Sequence, residues 1–180
     1  MLQHVAMHIL VPNTPTVGFS PEGICQAMIL DGISAAQKTI LVQAYEFTNP
    51  VIGNALAVAA QRGVTVKALL DPLNLYHPAS MLRTLLNGGV TTLIDARHRI
   101  AHNKCIIVDD LFVLTGSYNF TPQAEFVNAE NLTAVWQPDI VERYFDNWVF
   151  HEGHSTVPTP TILAAPMPPA NTLGPMPSGQ

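Results

Sequence analysis

Two neighbouring segments of the chain carry side chains that can act together on a phosphate. The first, HNKCIIVD, contains His102, Lys104 and Asp109, and the second, GSYNF, contains Ser117 and Asn119. A neutral imidazole can attack phosphorus or pass a proton near neutral pH, and a lysine ammonium can neutralise a phosphate oxygen. Hydroxyl and amide groups can donate to the charge that develops in a transition state. These residue types together predict phosphoryl transfer without a metal.

Three further charged residues extend this candidate site. A carboxylate that binds the second nitrogen of an imidazole holds its tautomer, and Glu130 is the candidate for that role. Arg97 and Arg99 lie just before His102, where they could contact flanking phosphates of a substrate. A short basic run is equally typical of a solvated loop, so both interpretations of the two arginines stay open.

Other signatures of catalytic or metal sites are weak or missing. His151 and His154 in HEGH superficially look like a metal pair, but their spacing matches no strong zinc pattern. The chain has no P-loop, no dinucleotide-binding glycine pattern and no CxxC, and Gly116-Ser117 lacks the second glycine of a nucleophile elbow. We therefore expect no metal and no other cofactor.

Hydrophobic periodicity, capping residues and turn residues predict alternating strands and helices. His102 and Lys104 are expected on one face of a strand, because side chains alternate along a strand with a period of two. The Asn49-Pro50 pair predicts a helix start, and Asp109-Asp110 predicts a tight turn. The predicted strands cover residues 39–47, 64–70, 90–94, 101–108, 111–115 and 131–136, and the predicted helices begin at Ser20-Pro21-Glu22, Asn49-Pro50, Ser80 and Pro138.

This alternation predicts an α/β fold, specifically an α/β/α sandwich with a mixed, partly parallel sheet. Residues 1–154 are expected to form one catalytic domain. Residues 155–180 are rich in proline and contain no charged residue, so we expect them to be a disordered tail. There is no internal repeat.

The composition limits the functions that the chain can have. Its formal net charge is −5 and only 12% of its residues are charged, which argues against a high-affinity DNA-binding module but less against an enzyme with a local basic cleft. Cys25 and Cys105 are predicted to be buried free thiols. No stretch is apolar for long enough to span a membrane, and the amino-terminus lacks a basic leader region. The compartment stays open between exported and cytoplasmic.

The two segments that open this section resemble the phospholipase D superfamily. HNKCIIVD fits its H-x-K-x-x-x-x-D signature, TGSYNF fits the G-S-x-N-F segment that follows, and Glu130 fits its downstream acidic position. VGFSPEG, near residue 17, looks like the small bacterial nuclease branch. The resemblance covers about residues 17–150 and implies a phospholipase D/nuclease-like fold.

The resemblance also implies a pair of identical chains. Family members use two such motifs per active site, and this chain has one, which implies a homodimer with the site on the two-fold axis. One His102 would attack phosphorus and form a phosphohistidine, while the other would protonate the leaving oxygen and then activate water.

The remaining motif residues receive roles from the same resemblance. Lys104 and Asn119 would hold the non-bridging oxygens, with Ser117 beside them. Glu130 would orient the imidazole of one or both histidines. Asp109 and Gly116 would support the site structurally, and no metal is implied.

Three functions remain to be weighed. The preferred one is a metal-independent, non-specific endonuclease acting on DNA or RNA. The alternative is a phospholipase D-type hydrolase of lipid headgroups, which should show an exposed apolar rim or an amphipathic surface helix, and the sequence shows no clear one. A non-catalytic binding relative would have a broken motif, whereas this motif is intact.

Overall fold

The computed structural model describes residues 9–159, which form seven strands and six helices. Residues 1–8 and most of the predicted tail, from residue 160 onward, lie outside this range. The strands are β1 (Thr16–Ser20), β2 (Thr39–Ala44), β3 (Thr65–Leu70), β4 (Thr91–Ile94), β5 (Lys104–Val108), β6 (Phe112–Gly116) and β7 (Glu130–Val135). The helices are α1 (Cys25–Ala35), α2 (Pro50–Gln61), α3 (Leu73–Tyr76), α4 (Leu82–Asn87), α5 (Pro122–Phe126) and α6 (Pro138–Glu152).

All seven strands join one mixed sheet in the order β1-β7-β6-β5-β2-β3-β4. The pairs β2-β3 and β3-β4 are parallel, because a helix carries the chain from the end of one strand back to the start of the next. The other four pairs are antiparallel. The predicted mixed, partly parallel sheet is confirmed.

Helices cover the sheet on both faces. Buried side chains of α1, α2 and α4 pack on one face with alternate residues of the central strands, such as Val42 and Ile106. The intervening strand residues, such as Leu41 and Ile107, pack on the other face against Val141 and Trp148 of α6. Because helices bury both faces of the central strands, consecutive residues of these strands are mostly apolar. The helices on the two faces form the predicted α/β/α layers.

Among the predicted helix starts, Asn49-Pro50 and Pro138 are confirmed and Ser20-Pro21-Glu22 is wrong. The side chain of Asn49 accepts hydrogen bonds from the backbone N–H groups of Val51 and Ile52, so it caps α2 as predicted. Ser20 does not cap a helix. It is the last residue of β1, its hydroxyl donates to the carbonyl of Ala124 at 2.5 Å, and α1 begins only at Cys25.

Three short elements were not predicted from the sequence. β1 is an edge strand of five residues that leaves Val17 and Phe19 exposed, so its apolar pattern points partly away from the core. α3 and α5 contain four and five residues, which is too short for helical periodicity to appear.

Other predictions concern the cysteines, membrane spans and the start of the tail. Cys25 and Cys105 are buried free thiols, as predicted. Within residues 9–159, no helix is both long and apolar enough to cross a bilayer. Thr156, in the predicted tail, forms an antiparallel bridge with Ile94 at the end of β4.

Asp109 ties the β5–β6 turn to the loop before β2. Its carboxylate accepts hydrogen bonds from three backbone N–H groups, those of Gln37, Lys38 and Thr39, at 2.8, 2.7 and 2.7 Å. Asp109 and Asp110 both have positive φ angles, 52° and 57°, as the predicted tight turn requires. These contacts fit the structural role that the resemblance gave to Asp109.

We expect Asp109→Asn to lower the free energy of unfolding by about 1–2 kcal/mol, because the amide loses the charge that strengthens the bonds from three N–H groups. Asp110→Asn is the matched control, since asparagine also tolerates positive φ, and it should change stability by less than about 0.5 kcal/mol. Urea unfolding followed by circular dichroism measures both variants. Equal losses for the two would show that Asp109 has no special role.

Candidate active site

His102 and Lys104 lie together, but not on one strand. Lys104 is the first residue of β5, paired with Ala44 of β2, and His102 precedes the strand. The prediction that one strand carries both side chains is therefore wrong. The Lys104 ammonium instead turns back and donates to the backbone carbonyl of His102 at 2.7 Å.

Tyr45 brings the two side chains to the same place. Its ring centroid lies 4.7 Å from that of His102, and the Lys104 nitrogen lies 5.2 Å from the Tyr45 ring centroid. The loop that carries Tyr45 is fixed, because Asn74 accepts from the N–H of Phe47 and donates to the carbonyl of Tyr45. A rigid aromatic surface thus positions both the imidazole and the ammonium.

Asp71 fixes the backbone that leads into His102. It is buried at the end of β3, and its carboxylate accepts from the N–H of Leu73 at 2.8 Å and of Ala101 at 2.7 Å. The residue before His102 is therefore attached to the carboxyl end of the neighbouring parallel strands, where α/β sheets commonly hold their sites.

The environment adjusts the protonation of both groups. Although His102 is exposed, desolvation of its imidazole by neighbouring groups, followed by the nearby charge of Lys104, lowers its pKa below the ordinary value of 6.5, while Asp71 opposes this effect. Burial lowers the pKa of Lys104 to about 8, and Glu130 and Glu46 partly oppose it. Near neutral pH the imidazole is thus mainly neutral and the ammonium still charged, as attack on an anionic phosphate requires.

Ser117 and Glu130 form a second polar cluster at the ends of β6 and β7. The Ser117 hydroxyl donates to Glu130 at 2.5 Å and accepts from the backbone N–H of Asn131 at 3.1 Å. The side-chain amide of Asn128 donates to the other Glu130 oxygen at 3.1 Å. The hydroxyl proton of Ser117, predicted to face a transition state, is directed at Glu130.

Within one chain, Glu130 does not reach the imidazole that it was predicted to orient. In the described residues its side-chain hydrogen bonds go to Ser117 and Asn128, and none joins it to His102. Its charge nevertheless acts on Lys104. One chain therefore brings Lys104, His102 and Glu130 into a single region without an imidazole–carboxylate pair.

Gly116 lies too close to β7 for any side chain, whereas Asn119 has a buried side-chain oxygen without a hydrogen bond in the described residues. A Cβ atom at Gly116 would lie 2.2 Å from the carbonyl oxygen of Asn131, so only glycine fits where β6 approaches β7. The side-chain oxygen of Asn119 is buried, and within residues 9–159 it has no hydrogen-bond partner. This oxygen is an acceptor, so only a donor group, and not a phosphate oxygen, could complete its hydrogen bonds.

An open cleft of about 490 Å³ runs from His102 and Lys104 along α6. The α6 residues Arg143, Tyr144 and Asn147 line it, and sequence analysis missed all three as site residues. Their spacing on one helical face was the available signal. Arg143 places a cation in the lining of the cleft that also contains His102, the candidate nucleophile.

Arg97 and Arg99 are exposed in the loop between β4 and β5. The guanidinium of Arg97 lies 5.5 Å from the ring centroid of Phe150 near the end of α6. Its side chain is therefore directed toward α6, and a role in substrate contact stays a prediction for both arginines.

Comparison with known proteins identifies the family. Residues 29–148 match the family described as cardiolipin synthase, PLD-like domain. A phospholipase D from Rickettsia typhi is 35% identical over 156 residues, covering 87% of this chain and 76% of that protein. The chain belongs to the phospholipase D superfamily.

Two further similarities refine this assignment. The crystal structure of Nuc, a phospholipase D family member from Salmonella typhimurium, is 36% identical with a TM-score of 0.75, covering 79% of this chain and 95% of Nuc. A mitochondrial cardiolipin hydrolase from Xenopus laevis is 31% identical over 116 residues, which is 64% of this chain and 55% of that protein. Superfamily membership makes the chain a hydrolase of phosphodiester bonds, as the sequence predicted.

Proposed function

We propose that the chain is a metal-independent endonuclease that cleaves DNA or RNA with little sequence preference, through a site shared by two identical chains. The observation that carries this proposal is the arrangement of His102 and Lys104 against Tyr45 at an open cleft. It places a mainly neutral nucleophile beside a buried cation, which is what attack on a phosphodiester needs.

The proposed reaction has two displacements at phosphorus. In the first, His102 attacks phosphorus, an N–P bond forms, and the bond from phosphorus to the leaving oxygen breaks. His102 of the partner subunit, which must be in its protonated form for this step, gives its proton to that oxygen. In the second displacement, the imidazole of the partner's His102 takes a proton from a water molecule. The water attacks phosphorus, and the N–P bond breaks to regenerate His102 of the first chain.

Lys104 and Asn119 would stabilise the charge on the non-bridging oxygens. The ammonium of Lys104 supplies positive charge from a side chain that is only 8% exposed, where electrostatic interactions are stronger than in bulk water. Asn119 would donate a side-chain N–H to one of these oxygens, since its buried, unpartnered Oδ1 can only accept. Ser117 would contribute by holding Glu130, to which its hydroxyl donates.

The position of Glu130 supports the shared site. Because Glu130 makes no hydrogen bond to His102 of its own chain, the imidazole that it orients would belong to the partner subunit. Two chains related by a two-fold axis would each supply a carboxylate to the other's histidine. This arrangement explains why a chain with one motif would be inactive alone.

A phospholipid substrate is the second candidate, and one surface feature favours it. Phe126 and Val127 are 69% and 71% exposed, and they lie just before Asn128, which contacts Glu130. The sequence analysis found no clear apolar rim, and these residues provide a small one. Similarity to the Rickettsia phospholipase D points the same way. We prefer nucleic acid because Nuc is similar over nearly its whole length and because the cleft carries polar residues and Arg143.

The test is cleavage in excess EDTA of labelled single- and double-stranded DNA, of RNA, and of phosphatidylcholine and cardiolipin vesicles. We expect cleavage of nucleic acid that EDTA does not reduce and that an identically purified His102→Ala chain lacks. Hydrolysis of the lipids alone would replace the nuclease proposal with the phospholipase. Cleavage abolished by EDTA and restored by Mg²⁺ would overturn the metal-free mechanism.

A further inference from the structure

Three histidines and one aspartate converge outside the candidate active site. Asp95 follows β4, His98 lies in the β4–β5 loop, and His151 and His154 lie at the carboxyl end of α6. One ligand atom from each of the four lies within 4.8 Å of every other. Residues from two distant parts of the sequence thus meet as one group.

The contacts within this cluster are short and mostly sheltered from solvent. His151 Nδ1 lies 2.5 Å from one oxygen of Asp95, and His154 Nε2 lies 3.0 Å from the other. His98 Nδ1 lies 3.8 Å from Asp95, beyond hydrogen-bonding distance. The side chains of Asp95, His151 and His154 are 3%, 11% and 13% exposed, and that of His98 is 43% exposed.

The three imidazoles also pack on one another. Ring centroids of His98 and His151 are 5.0 Å apart, those of His98 and His154 are 5.5 Å apart, and those of His151 and His154 are 5.2 Å apart. Two histidines that are hydrogen-bonded to one carboxylate could simply stabilise the fold, without binding a metal. His98 makes no hydrogen bond to this carboxylate, yet one of its ring nitrogens lies within 4.8 Å of the ligand atoms of the other three residues, which a network of two histidines does not require.

We propose that Asp95, His98, His151 and His154 bind one Zn²⁺ ion. Imidazole nitrogens and a carboxylate oxygen are ligands that zinc prefers, and four of them complete a tetrahedron. Zinc–ligand bonds of about 2.0–2.1 Å place tetrahedral ligand atoms roughly 3.3 Å apart. The nitrogens lie 2.5 Å from one oxygen of Asp95 and 3.0 and 3.8 Å from the other, and no two of the four ligand atoms are more than 4.8 Å apart, so side-chain shifts without a change of fold would bring them to that spacing.

A site with four protein ligands leaves no position for water or substrate, so this zinc is structural. It joins the β4–β5 loop, which leads into His102, to the end of α6. The bridge between Ile94 and Thr156 joins the same two regions through the backbone. The sequence prediction of no metal site considered only His151 and His154, without the two ligands that the fold brings to them.

The test measures the zinc content of the full chain, produced without a histidine tag. Wild type, His98→Ala and His77→Ala are dialysed against Zn²⁺ at pH 7, then against metal-free buffer, and analysed by mass spectrometry of the elements. We expect about one zinc per chain for wild type and for His77→Ala, which lies outside the cluster, and less than about 0.1 for His98→Ala.

His98→Ala is the decisive variant because it removes an exposed ring and leaves both histidine hydrogen bonds to Asp95 in place. Its fold, followed by circular dichroism, should match that of wild type. Added Zn²⁺ should raise the unfolding midpoint of wild type by several degrees and leave that of His98→Ala unchanged, because an ion bound only by the folded state stabilises it.

Two results would overturn the proposal. One is a wild-type chain that retains no stoichiometric zinc after exposure to Zn²⁺. The other is His98→Ala that binds zinc as well as wild type does. Neither result depends on catalysis, so the zinc site and the nuclease proposal can fail separately. Cleavage assays in EDTA should be run well below the unfolding temperature of the metal-free chain.

Discussion

Replacing His102 by alanine is expected to lower the kcat/KM for cleavage by at least about 10⁴-fold, because the substitution removes a nucleophile for which no other group substitutes. The imidazole is exposed and its main side-chain contact is the ring of Tyr45, so the variant should fold normally. The assay measures initial rates on labelled DNA in EDTA, with unfolding midpoints measured on the same preparations.

His77→Ala is the matched control for this experiment. His77 is another imidazole in the described part of the chain, its ring nitrogen lies 3.8 Å from Glu46, and it is outside the proposed catalytic group. Its activity should stay within about threefold of wild type. If His102→Ala retained more than about one hundredth of the wild-type rate, a group other than this imidazole would be the nucleophile.

The central part of the fold was predictable because its strands are buried on both faces. β2 and β5 are mostly apolar and almost entirely buried, and the cap at Asn49 and the turn at Asp109-Asp110 mark where elements change. The edge strand β1 was missed because its apolar residues, Val17 and Phe19, are exposed, whereas its buried residues are Gly18 and Ser20. Ser20 was misread as a cap because its pairing with Glu130 in β7 is a long-range contact, which no local pattern encodes.

The candidate site shows the same division between local and long-range information. The types and order of His102, Lys104 and Ser117 identify the family. Their geometry depends on Tyr45, which reaches the site through the packing of the loop after β2 against the β6–α5 segment, where Phe47 contacts Phe120. Sequence spacing alone placed His102 and Lys104 on one strand, although β5 begins only at Lys104.

The proposed zinc site of Asp95, His98, His151 and His154 shows even more clearly that long-range contacts cannot be predicted from local sequence patterns. Asp95 and His98 precede β5, whereas His151 and His154 follow the rest of the sheet. The packing of α6 on the sheet through Val141 and Trp148, together with the Ile94–Thr156 bridge, brings the two pairs together. In the sequence, His98 lies in one segment and His151 and His154 lie in another, and neither segment has the residue spacing of a known metal-binding motif.

A dimer with one wild-type chain and one His102→Ala chain should have less than about one hundredth of the activity of the wild-type dimer, because losing a general acid–base group costs about 10²–10⁴-fold. The shared site would then contain one imidazole, which could attack phosphorus but would have no partner to protonate the leaving oxygen. Because the two chains share a single active site, the wild-type chain of the mixed dimer could not act alone.

The mixed dimers are obtained by co-expressing two chains with different non-histidine tags and purifying on both tags in succession. Doubly tagged wild-type dimers, purified in the same way, are the reference. An activity near one half of that reference would mean that each chain carries a complete site. Failure to recover any doubly tagged species, with both chains monomeric by light scattering, would contradict the dimer directly. We expect a near-complete loss of activity, because Glu130 is hydrogen-bonded to Ser117 of the same chain and not to His102 of that chain.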